Sequence, residues 1–307
     1  MDIFIQQLIN GLTLGSVYAV VALGYTMVYG IIQLINFAHG ELVMIGAMVA
    51  FTLIGLLAPT GMHPLLIVLL ATGGAVPVCM LIGYTMERVA YRPLRRAPRL
   101  APLITAIGVS IILQHLAMLI WSRNNLAFPQ IIKTESYHLG GATITNVQIT
   151  IIAMSVVLMA GLAVLVYRTR LGTAMRATAQ NAAIAGLMGI DVNRMIAATF
   201  VIGASLAAVA GVMVGSYYGI AHYQMGALLG LKAFSAAVLG GIGNLPGAML
   251  GGVLLGLVEA LGAGYIGDLT NDVFGSNYQD VFAFLVLIAV LVLRPSGLLG
   301  ERVGDRA

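Results

Sequence analysis

Residues 36–41 read Asn-Phe-Ala-His-Gly-Glu, "NFAHGE", and interrupt one of the most apolar parts of the chain. No Asp, Glu, Lys or Arg occurs from Ile3 to Ala38, and none occurs from Leu42 to Met86. Apolar runs of this length are typical of helices that cross a bilayer, which need about 20 residues each. The sequence therefore predicts spanning helices on both sides of this stretch, with an imidazole and a carboxylate set between them.

The chain as a whole has the same apolar character. Of its 307 residues, 60% are hydrophobic and only 8% are charged, whereas a soluble domain carries about 25% charged residues. Too few polar side chains are present to cover a water-facing surface, so we expect an all-α, polytopic membrane protein. The net charge of +4 comes from basic residues clustered between apolar segments, which indicates membrane orientation rather than nucleic-acid binding.

Nine apolar segments predict eight or nine spanning helices in a single transmembrane domain over residues 1–307. The first residues lack the basic region of a cleaved signal peptide, so the first segment is expected to remain as a helix. Only about 24 Å of helix follows Glu41 within segment 36–57, so that segment either crosses fully or is broken or re-entrant. The candidates are 3–30, 36–57, 64–85, 102–121, 149–167, 195–218, 226–243, 246–265 and 279–293.

Basic residues distinguish the two sides of the predicted bundle, because cytoplasmic loops carry an excess of Lys and Arg. Loops 86–101 and 168–194 and the C-terminal tail should be cytoplasmic, whereas loops 122–148 and 266–278 should face outward. With nine crossings the N-terminus lies outside; if segment 36–57 does not cross, it lies inside. The arginines on the predicted cytoplasmic side are Arg88, Arg92, Arg95, Arg96, Arg99, Arg168, Arg170, Arg176, Arg194, Arg294, Arg302 and Arg306.

Two segments carry small residues at every fourth position, which places them on one face of a helix. In lipid no hydrophobic effect draws helices together, so such faces favour close approach of backbones. We expect both faces to pack inside the bundle or against another membrane subunit. They consist of Gly203, Ala207, Gly211 and Gly215, and of Gly252, Gly256, Ala260 and Gly264.

Enzyme motifs do not occur in the sequence: it has no G-x-x-x-x-G-K-[ST], H-E-x-x-H or G-x-S-x-G pattern and no Cys/His ligand set. We therefore expect no catalytic residue, no metal and no cofactor, and a transporter powered by a separate ATPase or by an ion gradient. The carboxylates available to an ion-driven carrier are Glu41, Glu259 and Asp280. Lys232 and Glu259 can pair if their segments form a hairpin, either as a structural ion pair or along a solute path.

Residues 173–194 form the second informative stretch, on the predicted cytoplasmic side. The stretch is rich in alanine, which favours a helix, and Gly189 is a plausible end for it. Ile184, Leu187 and Met188 fall on one face at i, i+3 and i+4. Such a short helix either lies at the lipid interface or docks into a groove on a partner protein.

Five sequence blocks resemble one known family. They occur in order across nearly the whole chain and are similar to the branched-chain amino acid ABC transporter permeases, most closely to the LivH-like subunit. The blocks are "GYTMVYGIIQLINFAHGELVMIGA" (24–47), "ERVAYRPLR" (87–95), "AQNAAIAGLMGID" (179–191), "GLKAFSAAVLGGIGNLPGAMLGG" (230–252) and "RPSGLLG" (294–300).

The resemblance implies a permease of the bacterial inner membrane that works with several partners. These are a second homologous permease subunit, two cytoplasmic ATP-binding subunits, and a periplasmic protein that delivers leucine, isoleucine or valine. It also implies that block 179–191 couples to the ATPase, as the EAA loop does in other importers. The candidate coupling residues are Gln180, Asn181, Ala185, Gly186, Leu187, Met188 and Gly189.

If the chain is such a permease, we expect the break at residues 36–41 to face the translocation pathway. Exposed backbone groups are tolerated at membrane depth only inside protein or beside a polar cavity. The alternative is that His39 and Glu41 only cap and anchor a helix end. Residues 243–247 are interpreted as the counterpart of this break, and the candidate pathway residues are Asn36, His39, Gly40, Glu41, Lys232, Gly243, Asn244, Gly247 and Glu259.

Two further functions stay open at the level of sequence. One is an ABC permease for urea, short amides or other polar amino acids, which the same family resemblance would cover. The other is a secondary transporter that works alone on an ion gradient. The sequence by itself does not identify the solute.

Overall fold

The computed structural model of the chain describes residues 2–300 except positions 96, 99, 140 and 270–277. Four of the predicted cytoplasmic arginines (96, 99, 302 and 306) and most of loop 266–278 lie outside these described residues. The helices are α1 (Asp2–Ile32), α2 (His39–Leu57), α3 (Pro64–Thr85), α4 (Leu100–Ile120), α5 (Asn146–Arg168), α6 (Arg170–Gln180), α7 (Ala182–Leu187), α8 (Val192–Tyr218), α9 (Met225–Gly240), α10 (Leu245–Leu269) and α11 (Gln279–Leu293).

Short elements complete the described fold. A π-helix (Met86–Tyr91) continues α3, and one 3₁₀ turn follows α2 at Ala58–Thr60 and another follows the π-helix at Arg92–Leu94. Two antiparallel strand pairs form, β1 (Leu126–Ala127) with β4 (Ile220–Ala221) and β2 (Ser136–Leu139) with β3 (Ala142–Thr145).

Seven of the described helices are long and apolar enough to cross a membrane, namely α1 to α5, α8 and α10, while α9 and α11 are shorter apolar helices. The predicted all-α, polytopic fold is therefore confirmed, and each of the nine predicted segments corresponds to one of these helices. Segment 226–243 ends earlier than predicted, at Gly240. The reason is that Gly241 and Gly243 adopt φ angles of 107° and 93°, which glycine tolerates and which end a helix.

The centre of the bundle consists of α1, α2 and α8. Tyr18, Leu42 and Phe200, one from each helix, are almost completely buried. The outer helices instead present large apolar side chains to the surroundings, for example Leu119 on α4 and Val157 on α5. Exposed apolar side chains are stable on these helices because lipid tails are as apolar as they are.

Contacts at the helix ends fix the relative directions of the helices. Gln6, near the start of α1, exchanges hydrogen bonds of 2.8 and 3.1 Å with the backbone of Thr143 in β3. At the far end of α1, the Tyr91 hydroxyl donates to Asn36 Oδ1 at 2.8 Å. The beginning of the chain and the basic segment after α3 therefore lie at opposite ends of the bundle.

Glycines allow α1 and α10 to cross at very close range. A Cβ at Gly256 would overlap the backbone of Gly15, and a Cβ at Gly252 would overlap the backbone of Ala19. On α8, a Cβ at Gly211 would likewise overlap the backbone of α2. Both predicted small-residue faces thus pack inside the bundle, which decides between the two alternatives that the sequence left open.

Replacing Gly256 with valine should lower the free energy of unfolding by at least about 2 kcal/mol, because the new side chain would push two backbones apart. Gly161→Val on α5 is the matched control, since a Cβ there meets no atom within 4 Å. Thermal unfolding of the purified variants in detergent measures the difference. Equal melting temperatures for the two variants would contradict this account of the α1–α10 crossing.

Candidate functional site

The break between α1 and α2 lies inside the bundle and not beyond its end. The imidazole of His39, the first residue of α2, packs where a Cβ at Gly24 would be. Gly24 precedes the end of α1 by about 12 Å of helix, so residues 33–38 fold back before α2 begins. Near the other end of α2, Trp121 Nε1 donates a 2.7 Å hydrogen bond to Thr52 Oγ1. Segment 36–57 is long and apolar enough to cross a membrane, but its helix starts within the bundle.

Asn36 holds the break in shape. Its side chain is buried, and Oδ1 accepts hydrogen bonds from the backbone N–H of Ala38 at 3.1 Å and from the Tyr91 hydroxyl at 2.8 Å. Gln33, at the beginning of the break, has a φ of 51°, in the left-handed region that only a few non-glycine residues adopt. The Asn36 side chain therefore satisfies the backbone N–H of Ala38 inside the break. It also connects the break to Tyr91 at the end of the π-helix.

Glu41 is completely buried in the first turn of α2, with 0% of its surface exposed. Its Oε1 atom accepts a hydrogen bond from the Ser110 hydroxyl and another from Gln114 Nε2, both at 2.8 Å. Within the described part of the chain, its Oε2 atom has no hydrogen-bond partner. Ser110 and Gln114 were not predicted as site residues, although two polar residues one helical turn apart in an apolar helix are a visible signal.

The first turn of α9 meets the first turn of α2 at this place. A Cβ at Gly40 would overlap the carbonyl oxygen of Gly226, and a Cβ at Gly230 would lie 2.9 Å from the Cα of Gly40. A Cβ at Gly226 would lie only 2.6 Å from Glu41 Oε2. The partially positive N-terminal ends of two helices thus converge on one carboxylate, which they stabilise.

The predicted counterpart of the break lies elsewhere. Gly243 and Asn244 lie in the turn between α9 and α10, with Gly243 beside Gly30 near the end of α1, and Gly247 lies in the first turn of α10. Asn244 Nδ2 donates a 2.7 Å hydrogen bond to the carbonyl oxygen of Leu299. The structure therefore brings Gly40 and Glu41 to the start of α9. His39 instead packs against Gly24 and Tyr25 of α1, Asn36 contacts Tyr91, and residues 243–247 lie elsewhere.

Lys232 and Glu259 form the predicted ion pair, with Nζ and Oε1 2.7 Å apart and both side chains buried. Two further partners were not predicted. Asp280 Oδ1 also lies 2.7 Å from Lys232 Nζ, and the Tyr18 hydroxyl donates to Glu259 Oε2 at 3.0 Å. The cluster joins α1, α9, α10 and α11 at one point and contains two carboxylates for one ammonium group.

The predicted coupling segment consists of two helices, α6 and α7. Asn181 separates them and caps α7, because its Oδ1 accepts the backbone N–H of Ile184 at 3.0 Å. Ala185 is buried, whereas 57% of Ile184, 87% of Leu187 and 79% of Met188 is exposed. The described chain thus presents an apolar surface of three side chains, which we name the α7 patch.

The segment is helical as predicted and ends where predicted, but it is divided into two helices. Gln180 is the last residue of α6, Gly186 lies in the last turn of α7, and Gly189 ends the element with a φ of 85°. The prediction of one continuous helix was wrong, because α6 ends before Asn181 and the Asn181 side chain caps the start of a second helix, α7.

A polar network next to this segment was not predicted. Glu87, buried in the π-helix, pairs with the guanidinium of Arg95 and lies 3.6 Å from Arg92 Nε. Arg95 Nη1 also donates to Asn193 Oδ1 of α8 at 2.6 Å. Burial lowers the pKa of the Arg95 guanidinium, and the adjacent Glu87 carboxylate opposes that shift. The network ties the basic segment after α3 to the helix that follows α7.

No group of three or more potential metal ligands of the His, Cys, Asp or Glu type occurs among the residues that the structure describes. The arrangement at Glu41 offers a buried carboxylate that accepts hydrogen bonds from Ser110 and Gln114. Its chemistry therefore suits binding and release of a polar group.

The chain is similar to known proteins over most of its length. A family profile described as "Branched-chain amino acid transport system / permease component" matches residues 7–291. The chain is 50% identical to the high-affinity branched-chain amino acid transport system permease protein BraD of Pseudomonas aeruginosa, covering 97% of this chain and 96% of that protein.

More distant relatives carry similar names. The chain is 45% identical to the high-affinity branched-chain amino acid transport system permease protein LivH of Escherichia coli, again over 97% of this chain and 96% of the other. It is 26% identical to a probable branched-chain amino acid transport permease protein LivH of Methanocaldococcus jannaschii, over 93% and 89%. No solved structure matches the chain.

Proposed function

This chain belongs to the family of branched-chain amino acid transport system permease components, and we propose that it is the permease of an ATP-driven importer for branched-chain amino acids. Membership in this family confirms the prediction that the chain is a membrane permease rather than an enzyme. The observation that carries the proposed solute is the 50% identity to BraD over almost the full length of both chains.

The proposed orientation follows the distribution of basic residues. The segments with Arg88, Arg92 and Arg95 and with Arg168, Arg170 and Arg176 face the cytoplasm of the bacterial inner membrane. The C-terminus then lies in the cytoplasm and the N-terminus lies in the periplasm, because Gln6 is bonded to the opposite end of the bundle.

The proposed partners follow from the same arrangement. The α7 patch lies on the cytoplasmic side in this orientation and suits a groove on one of two ATP-binding subunits, because three clustered apolar side chains are costly to leave in water. A periplasmic binding protein delivers the amino acid near strands β2 and β3. A second homologous permease subunit completes the membrane part.

The proposed pathway passes the place where α2 and α9 begin. Asn36, His39, Gly40 and Glu41 supply polar groups at the depth of the bundle interior, where polar groups are costly and are therefore retained for function. The ATP-binding subunits move α7, and the Arg95–Asn193 hydrogen bond and the Tyr91–Asn36 hydrogen bond transmit that movement to the break.

Reconstitution tests the proposed function. The chain is co-expressed with the second permease and the two ATP-binding subunits, purified, and placed in proteoliposomes with the binding protein. We expect labelled leucine to accumulate only with ATP present, and unlabelled urea not to compete. Ion-driven uptake by the isolated chain would instead support a secondary transporter, and uptake of urea or acetamide would support a permease for amides.

A further inference from the structure

Glu41 combines complete burial with an unused hydrogen-bonding atom. Each oxygen of a carboxylate can accept two hydrogen bonds. Oε1 accepts from Ser110 and Gln114, whereas Oε2, pointing at Gly226 at the start of α9, has no partner within the described residues. An unsatisfied buried carboxylate oxygen is expensive to maintain unless another state of the molecule uses it.

We propose that Glu41 binds the α-ammonium group of the transported amino acid, and that α4 closes this site by occupying the carboxylate with Ser110 and Gln114. The inference deepens the proposed function and rests on it, since it assumes that an amino acid passes the start of α2. An ammonium group carries three N–H donors. It can take the place of the α4 donors on Oε1 and also bond to Oε2, so both carboxylate oxygens have a partner after the exchange.

The α-carboxylate of the transported amino acid also has complementary groups at this site. The first turns of α2 and α9 meet at Gly40 and Gly226, and the N-terminal end of a helix carries a partial positive charge that favours anions. The site therefore offers a negative group and two positive helix ends within one contact region. Both poles of a zwitterion are complemented there, whereas urea and short amides offer no charge to either.

Helix α4 is suited to act as a removable cover. Its buried residues in the described structure are only Pro102, Ala106 and Ala117, so little packing opposes its displacement. His115, one residue beyond Gln114, is exposed on a helix that otherwise presents Ile and Leu. Ionisable side chains within spanning helices usually face protein or a water-filled cavity and not lipid, so the exposed face of α4 at His115 is expected to meet protein or water.

Two variants with opposite expected effects test this proposal in the full reconstituted complex. Glu41→Gln keeps an oxygen that accepts from Ser110 and Gln114 but removes the charge that the ammonium group needs. ATP-driven leucine uptake should then fall about tenfold or more. The double variant Ser110→Ala/Gln114→Leu removes the cover's hydrogen bonds and keeps the charge, so uptake without the binding protein should rise several-fold.

The opposite directions of the two expected changes in uptake distinguish this proposal from a purely structural role of Glu41. If Glu41 only anchors α4, Glu41→Gln keeps that contact and should leave uptake nearly unchanged, whereas the double variant breaks it and should not raise uptake without the binding protein. Either result would overturn the inference. Uptake by Glu41→Gln within twofold of the unaltered complex would overturn it as well. If Glu41→Gln does not assemble, the double variant decides, because an unchanged or reduced binding-protein-independent uptake contradicts the proposal.

Two controls complete the experiment. Ser155→Ala changes a buried serine on α5, outside the site, and should leave uptake unchanged. The unaltered complex tests the proposed function separately. If it shows no ATP-driven leucine uptake, the proposed function itself fails; if it transports leucine and Glu41→Gln does too, only the role of Glu41 fails.

Discussion

Leu187→Asp is expected to lower ATP-driven leucine uptake about thirtyfold or more, because it sets a charge at the centre of the α7 patch. With 87% of its surface exposed, Leu187 contributes little to the folded state, so this substitution should change stability by only about 0.5 kcal/mol. The loss should therefore come from the contact with the ATP-binding subunits. Co-purification of these subunits and uptake in proteoliposomes measure both parts.

Ala182→Asp is the matched control for this prediction. Ala182 is exposed in the first turn of the same helix, and the step of five positions from 182 to 187 turns the helix by about 140°. The same charge then lies away from the α7 patch and at a helix end that favours it. If the patch lies on the lipid surface and not on an ATPase, Leu187→Asp will retain its ATP-binding subunits as fully as Ala182→Asp.

Lys232→Met is expected to destabilise the bundle by about 3–5 kcal/mol, because it leaves Glu259 and Asp280 without their cation. Glu259 is almost completely buried, and a buried charge without a partner costs more than the ion pair contributes. The melting temperature of the purified chain in detergent should fall by several degrees or more. Lys133→Met, on an exposed residue of the outer loop, is the control.

A compensated variant separates charge from packing in the same cluster. In Lys232→Met/Glu259→Gln/Asp280→Asn all three charges are absent, so most of the lost stability should return. If the triple variant is as unstable as Lys232→Met, the volume and shape of the lysine side chain matter more than its charge. If both keep the original melting temperature, the cluster serves a purpose other than holding α9, α10 and α11 together.

Hydropathy and residue size predicted the helices and much of their packing. Apolar length located every spanning helix to within a few residues, since a bilayer imposes that length on any helix that crosses it. The small residues around Gly211 and Gly256 predicted close crossings correctly. The exposed face of Ile184, Leu187 and Met188 followed from helical spacing alone.

The partners of the polar residues were mostly beyond sequence reasoning. Glu41 contacts Ser110 and Gln114 on α4, and Lys232 contacts Asp280 as well as the predicted Glu259. Residues 243–247 resemble the break at residues 36–41 in sequence, and they were therefore predicted to be its counterpart. The segment that contacts the break is instead the start of α9. The connection before α9 looks like an ordinary loop, and no local pattern shows that it returns into the bundle.

The sequence by itself determined that this protein is a helical membrane protein, where its helices lie, and which faces carry small or polar residues. Those properties depend on the lipid, which accepts only apolar helices with satisfied backbones. Only the tertiary structure decided which polar groups meet, namely that two helix ends converge on Glu41 and that α4 covers it. Helices in lipid associate through shape and a few hydrogen bonds, and both depend on how the whole bundle fits together.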